Sequence, residues 1–298
     1  MASVALYVLL CVIWGSTWLV IKIGYGDLGP FNVAALRFVV AGMVLAVIIP
    51  LLRARWPRSR NEWLLIIWVG IVLFGADYGL IYWGEQFLDS GLTAILFATL
   101  PLITVALAHL YVPGDHITPR KLGGTLVAFL GVVALFGENL QFDLTRLGPM
   151  VAIIVAAVCA AGAGVASKRY GSGLHAAALN APAMLVGGIV LAIAAIASGE
   201  ELQVPTDATT WAAIVYLAIA GSVVTFLIYF SLLKTWTVTS LSFISVFTPV
   251  IALALGFVFL DERPTLWTAM GAVLILTGVA LALTRSTPKS QLPSSKLS

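Results

Sequence analysis

The chain has 298 residues, of which 61% are hydrophobic and only 10% charged, with a formal net charge of +3. Soluble domains carry about 45–50% apolar and about 25% charged residues, and a mean hydropathy of +1.06 leaves apolar surface that water does not accept. This composition excludes a pair of soluble domains, any sizeable catalytic or nucleic-acid-binding domain outside a membrane, and a partner recruited by net charge alone.

In chain order, ten apolar runs stand between charged or Gly/Pro-rich breaks: 4–22, 31–52, 63–83, 91–112, 120–137, 147–167, 175–198, 210–233, 239–260 and 266–284. Each approaches the roughly 20 residues that one helix needs to cross a bilayer. The runs are continuously apolar rather than alternating, which excludes a transmembrane β-barrel. The expected fold class is therefore all-α integral membrane, with ten transmembrane helices. Neither a positive segment nor a small-residue cleavage site precedes the first run, so it is expected to stay as a helix rather than leave as a signal peptide. The stretch 285–298 is polar, rich in Ser and Pro, and expected to be a disordered tail.

Orientation follows from the basic residues. Twelve of the sixteen Lys and Arg residues fall in loops of one side, among them Arg53, Arg55, Arg120, Lys168, Arg169 and Lys234. Lys22, Arg146 and Arg263 fall on the other, and Arg37 lies inside a run. Both termini are accordingly expected in the cytoplasm.

The two halves echo each other at an offset near 147 residues. Leu80-Ile81-Tyr82-Trp83 answers Leu227-Ile228-Tyr229-Phe230, Pro101 answers Pro249, and Gly124/Gly131 answer Gly271/Gly278. Trp63 and Trp211 open corresponding runs. Residues 1–146 and 147–284 thus read as two five-helix repeats. An odd helix number turns the second copy upside down, the arrangement of secondary transporters that bind substrate near the midplane by alternating access. Pro101 and Pro249, each about ten residues into a run, are expected as hinges because proline removes an intrahelical hydrogen bond. Packing geometry alone is the plainer reading of either proline.

Candidate binding residues come from charge and aromatic rings at depth. An intramembrane charge is a functional hypothesis by default. Asp77 and Arg37 lie at similar depth, which permits an ion pair; the alternative is an Asp77 that faces a cavity and meets a substrate amine or carries a proton. Lys22 lies nearer the surface, within snorkelling reach. Trp14, Trp18 and Lys22 share one helix face, and Tyr78 and Tyr82 share another. Tyr82, Trp83, Trp63 and Trp211 fit an interfacial belt, whereas Trp14 and Tyr78 lie deeper. The substrate-binding set is thus Trp14, Trp18, Tyr78, Tyr82, Asp77, Arg37 and Ser245. Ser242 and Ser245 either line a path or bond their own backbone, and Ala160–Gly164 reads as close helix packing. Cys11 and Cys159 sit in apolar runs without metal spacing. No metal site and no cofactor is expected, and the oligomeric state stays open, a monomer being compatible.

Trp14-Gly15-Ser16-Thr17 leading to Lys22, then Pro30 and Arg37, resembles the opening of the EamA type of the drug/metabolite transporter superfamily. Pro249, Glu262 and the Gly271/Gly278 pair resemble its second-half signature, so the resemblance reaches to about Leu283. The first half departs from it: Gly114-Asp115 stands where the second half has Asp261-Glu262, which puts a strict role for Glu262 in question. The resemblance implies a ten-helix transporter of the bacterial inner membrane, usually an exporter of small metabolites. Within the superfamily the chain is most similar to aromatic amino-acid exporters of the YddG kind.

The expected function is export of small amphipathic metabolites, amino acids including aromatic ones foremost, through a central cavity. A multidrug or quaternary-cation exporter is the alternative within the class. No Walker-type loop is present. Nor is there a paired-aspartate, H-E-x-x-H or G-x-S-x-G motif, so an intramembrane enzyme is the weaker reading, with His109 and His175 satisfied locally. The partners expected are a small-molecule substrate and the lipid bilayer, with no nucleic acid.

Overall fold

The computed structural model describes residues 2–26, 28–88, 90–135, 146–259 and 265–283, and every regular element among them is helical. In chain order they are α1 (Ala2–Ile23), α2 (Pro30–Ile48), α3 (Arg60–Val69), α4 (Tyr78–Glu85), α5 (Ser90–Phe97), α6 (Leu100–Tyr111) and α7 (Pro119–Leu135). Then follow α8 (Leu147–Tyr170), α9 (Ala176–Ala197), α10 (Ala208–Ala218), α11 (Thr225–Thr235), α12 (Val238–Ser242), α13 (Ile244–Phe259) and α14 (Leu266–Leu283). Two π segments, Gly70–Asp77 and Ile219–Val224, join α3 to α4 and α10 to α11 into continuous rods. Among the described residues seven helices are long and apolar enough to cross a membrane; Val238–Ile251 and Ala269–Leu283 are shorter apolar helices.

Each of the ten apolar runs contains helix, and the differences have local causes. The second run stops at Ile48 and passes into turns over 49–53. The third begins earlier, because Ser59 and Glu62 form a capping box: Ser59 Oγ accepts from Glu62 N at 3.2 Å, and Glu62 Oε2 from Ser59 N at 3.0 Å. It also ends later, so that Glu85 belongs to the helix. The fourth run is broken at 98–99 rather than bent: Pro101 sits in the first turn of α6, where its missing N–H costs nothing. The ninth breaks at Phe243, six residues before Pro249, which lies inside α13. Asp261, Glu262, Arg263 and the tail 285–298 lie outside the described residues.

Helix-end contacts tie the bundle at both ends. At the end rich in Arg and Lys, Lys168 Nζ donates to the carbonyls of Leu233 (2.7 Å) and Trp236 (2.9 Å), and Arg169 Nη1 to that of Tyr111 (2.7 Å). These cations complement the negative ends of α11 and α6. At the opposite end the Glu200 carboxylate accepts from the amides of Phe31 (3.3 Å) and Asn32 (2.9 Å), capping α2 from a distant loop.

Packing follows residue size. α7 lies against α14 along its glycines: a Cβ on Gly124 would meet Ala282 N at 2.5 Å, and one on Gly131 would meet Ile275 N at 2.7 Å. Only glycine permits that approach. α2 packs on α9, α1 on α13 and α6 on α8, while the first π segment rests on α9 and the second on α2. The main apolar core gathers Phe38, Phe74, Phe226 and Phe230 between these layers.

Candidate functional site

A cavity of about 110 Å³ opens between α1, α4, α6, α8, α11 and the α12–α13 break. Its wall is largely aromatic. Trp14 stands edge-on to Phe226, with ring centroids 5.4 Å apart, and 5.7 Å from Tyr229; Trp18 meets Phe97 at 5.8 Å. Such rings bury apolar surface while presenting π faces to a flat or cationic guest.

Asp77, the last residue of the first π segment, lines this cavity and is 2% exposed. Its Oδ1 has no protein hydrogen-bond partner. π segments shift the backbone ladder and re-aim side chains, and they recur at functional sites. The fixed polar edge of the cavity is otherwise built of hydroxyls. Ser242, Ser245 and Thr248 line it, and each donates to the carbonyl three residues back, Ser245 Oγ to Ser242 O at 2.9 Å. Thr104 lines it too, with its hydroxyl unpartnered by protein.

The permitted Arg37–Asp77 ion pair does not form. Arg37 is 1% exposed and turns instead to the other half of the chain. Its Nε donates to Ser222 Oγ at 2.9 Å and its Nη2 to Gly221 O at 3.0 Å, both in the second π segment. Nη1 donates to Tyr82 Oη at 3.3 Å. The guanidinium stacks 4.8 Å from the Tyr78 ring centroid and 5.0 Å from that of Phe38. Matching depth says nothing about azimuth, and a neighbouring π segment with a free carbonyl is a better partner than the aspartate.

The candidate set therefore divides. Trp14, Trp18, Asp77, Tyr78 and Ser245 line the cavity. Arg37 and Tyr82 stand behind it, and Tyr82 is fully buried rather than interfacial. Trp63 and Trp211 are 40% and 39% exposed. Pro101 and Pro249 lie in the helical pieces that follow the two breaks, whose flanking residues Phe97, Leu100, Ser242 and Ile244 line the cavity. Lys22 is exposed. His109 Nδ1 accepts from Ile117 N at 3.4 Å and His175 Nδ1 from Ala177 N at 3.2 Å, both local contacts.

Two features escaped sequence reasoning. The small run Ala160–Gly164 borders the cavity instead of closing a helix contact: Ala160, Ala161 and Gly164 are in its wall. Glu85, placed in a loop by the sequence, is 2% exposed at the end of α4. The signal for Glu85 was present, since Gly84 extends a helix-compatible run by one turn past Ile81.

Known proteins match over nearly the whole chain. The model of the EamA-like transporter family matches residues 1–137 and 147–284. The inner membrane transporter YedA of Escherichia coli K12 is 30% identical, over 89% of this chain and 86% of its own length. YoaV, a transporter of Bacillus subtilis, is 28% identical over 90% and 92%. A probable amino-acid metabolite efflux pump of Escherichia coli K12 is 26% identical over 92% of both. One solved crystal structure superposes with a TM-score of 0.79 over 95% of this chain and 96% of its own, at 22% identity, a likeness of fold.

Proposed function

The chain belongs to the EamA-like transporter family and is a multi-pass inner-membrane protein, and on that premise we propose that it exports small amphipathic metabolites, amino acids including aromatic ones foremost, by alternating access. The observation that carries this reading is Asp77, a buried carboxyl with one oxygen that no protein group satisfies, at the edge of an aromatic cavity. An amino acid's ammonium meets Asp77, its side chain lies against Trp14, Phe226 and Tyr229, and its carboxylate takes the hydroxyls of Ser242 and Ser245 after they rotate. Arg37 and Tyr82 hold the wall and do not touch substrate.

The inverted repeat belongs to the same proposal. Its support is that the packing pairs recur when first-half runs are exchanged for second-half ones: first with ninth becomes sixth with fourth, and third with seventh becomes eighth with second. The twelve-to-three division of basic residues supports cytoplasmic termini. The two helix breaks beside the cavity serve as hinges, with Pro101 and Pro249 starting or stiffening the pieces that swing. The relative described as a probable amino-acid metabolite efflux pump supports the substrate class.

Uptake of radiolabelled aromatic amino acids into vesicles holding only this purified protein tests the reading. Saturable flux, competed by unlabelled amino acid and reduced by Asp77→Asn, is expected. A quaternary ammonium ion, which has no carboxylate to spend on Ser242 and Ser245, would also suit Asp77 and its rings. Competition by lipophilic cations but not by amino acids would transfer the proposal to that class.

A further inference from the structure

Glu85, the last residue of α4, is a second buried carboxyl eight residues beyond Asp77 and takes no part in the cavity. It is 2% exposed, and neither Oε1 nor Oε2 has a protein hydrogen-bond partner. Its surroundings explain why. Gly84 beside it packs on Ile153 of α8, where an added Cβ would meet Ile153 Cδ1 at 2.9 Å. Ile81, Leu88 and Ala156 complete an apolar cluster there. Tyr82 stands one turn back on the same helix. The titratable or charged groups nearby are Tyr25 and Lys22 from the end of α1, with Arg37 of α2 one residue further, behind Tyr82. α8 brings apolar groups to this spot. Lys22 supplies the nearby positive charge but is itself exposed, so its ammonium is kept at the surface.

A carboxylate left without a partner in such surroundings costs several kcal/mol, whereas a carboxylic acid costs only what a buried polar group does. Asp77 is equally buried, but it borders the cavity, where the cation of a guest can pair with it; Glu85 is not in the cavity wall.

A chain of hydrogen bonds runs from the cavity to Tyr25, near Glu85. Trp14, in the cavity wall, donates from Nε1 to Gly221 O at 3.3 Å, the carbonyl that Arg37 Nη2 also reaches at 3.0 Å. Arg37 Nη1 holds Tyr82 Oη, and Tyr25 Oη donates to Tyr82 O at 2.9 Å. Tyr25, an electrostatic neighbour of Glu85, is thus fixed to the residue that Arg37 fixes. A guest that moves Trp14 disturbs the network that holds Tyr25 and Tyr82 near Glu85.

We propose that Glu85 is a proton-linked latch at that end of the bundle and that Lys22 is its partner when the bundle opens there. In the closed state Glu85 is a neutral acid. On opening, water reaches it, the Oε–H proton passes to that water, and the carboxylate left behind pairs with the Lys22 ammonium. Closing takes one proton back from the same side, so no net proton crosses the membrane and the pH on that side sets how readily the bundle opens there. The inference rests on the transporter reading but not on which metabolite is carried.

The test has two arms with the full-length protein. Infrared spectra at neutral pH, taken in an Asp77→Asn background to remove the other acid, should show a carboxylic-acid C=O band that Glu85→Gln abolishes. This arm needs no substrate, so it decides Glu85's protonation even if amino acids are not the cargo; absence of the band overturns the proposal. In vesicles, Glu85→Gln should keep substrate-for-substrate exchange, which shows a folded site, and lose the dependence of its rate on the pH of that side. Lys22→Met should keep that dependence but move its pH midpoint upward by about one unit, the usual effect of removing one adjacent opposite charge. Exchange by Glu85→Gln at the original pH dependence overturns the proposal, as does a Lys22→Met midpoint identical to the parent's.

Discussion

The third and eighth helical runs start alike and end in opposite roles. α3 is capped by Ser59 and α10 by Asp207, whose carboxylate accepts from Thr210 N at 2.8 Å. Both rods then widen into a π segment, Gly70–Asp77 in one and Ile219–Val224 in the other. From there they diverge. The first π segment ends on Asp77, with an oxygen that no protein group satisfies. The second offers the Gly221 carbonyl and Ser222 hydroxyl, and Arg37 and Trp14 take them. One backbone device thus serves two purposes: in the first half it leaves a charge open to a guest, and in the second it anchors a charge from the opposite half. Further along, Tyr78 faces Thr225 in the correspondence, and Glu85 faces Leu232.

Removing the anchored charge should have the largest effect. Arg37→Met deletes three hydrogen bonds from a charged donor and unties α2 from the second π segment. Charge-assisted bonds contribute about 1.5–3 kcal/mol each. The partners are neutral and Ser222 keeps its bond to Leu217 O (2.9 Å), so the net loss should be about 3 kcal/mol rather than the full sum. Thermal unfolding in detergent measures it. A midpoint equal to the parent's would show that Arg37 does not tie the halves together. Arg37→Lys should recover only part of the loss, because an ammonium lacks the planar fork that reaches Tyr82, Ser222 and Gly221 together.

The sequence revealed the half of this comparison that depends on sums over many residues. Hydropathy and length located the helical runs among the described residues, because crossing a bilayer is a property of about 20 residues together. Asp77, Trp14, Trp18 and Tyr78 stood out because a charge or a ring at depth is visible in one dimension. Facing was not. Arg37 and Asp77 share a depth, yet the azimuth of each helix sends the guanidinium to Ser222 instead. Small residues were equally ambiguous. Gly278 sits where a Cβ would meet Ala128 N at 2.3 Å, whereas one on Gly164 meets side chains alone, the Tyr229 hydroxyl at 3.1 Å and Val238 Cγ2 at 3.3 Å, beside the cavity. Composition cannot say whether space above a glycine is filled by a neighbouring backbone or left open. Glu85 was lost because the polar stretch from Glu85 to Gln86 looks like a loop once the run is ended at Trp83.

The second prediction reverses the sign of the first. Asp77→Asn removes an anion that lacks a full complement of protein partners, and the amide has nearly the same shape. Folding stability should stay level or rise by about 1 kcal/mol, while saturable flux falls. Measuring both on the same preparation separates a site residue from a structural one. A drop of several degrees in the unfolding midpoint of Asp77→Asn would mean that its charge is held by the fold, and the contrast between the two π segments would collapse.

The smallest effect lies at the caps, where the two rods are most alike. Hydrogen bonds from the Thr210 backbone and side chain hold the Asp207 carboxyl below the usual carboxylate range. In the unfolded chain the same group titrates near about 3.9. Its folded value is the lower one, so the stabilisation is fully present above the unfolded value and is lost as pH falls through the folded one. Asp207→Asn keeps an acceptor for Thr210 N but neither titrates nor complements the positive helix end. The parent should therefore unfold slightly above the variant at pH 7, and that margin should shrink once the pH drops below about 4. Melting curves of both proteins at a series of pH values read this out. A margin constant with pH would show that the Asp207 charge adds nothing to its geometry, and that the second rod starts, like the first at Ser59, on a hydrogen bond alone.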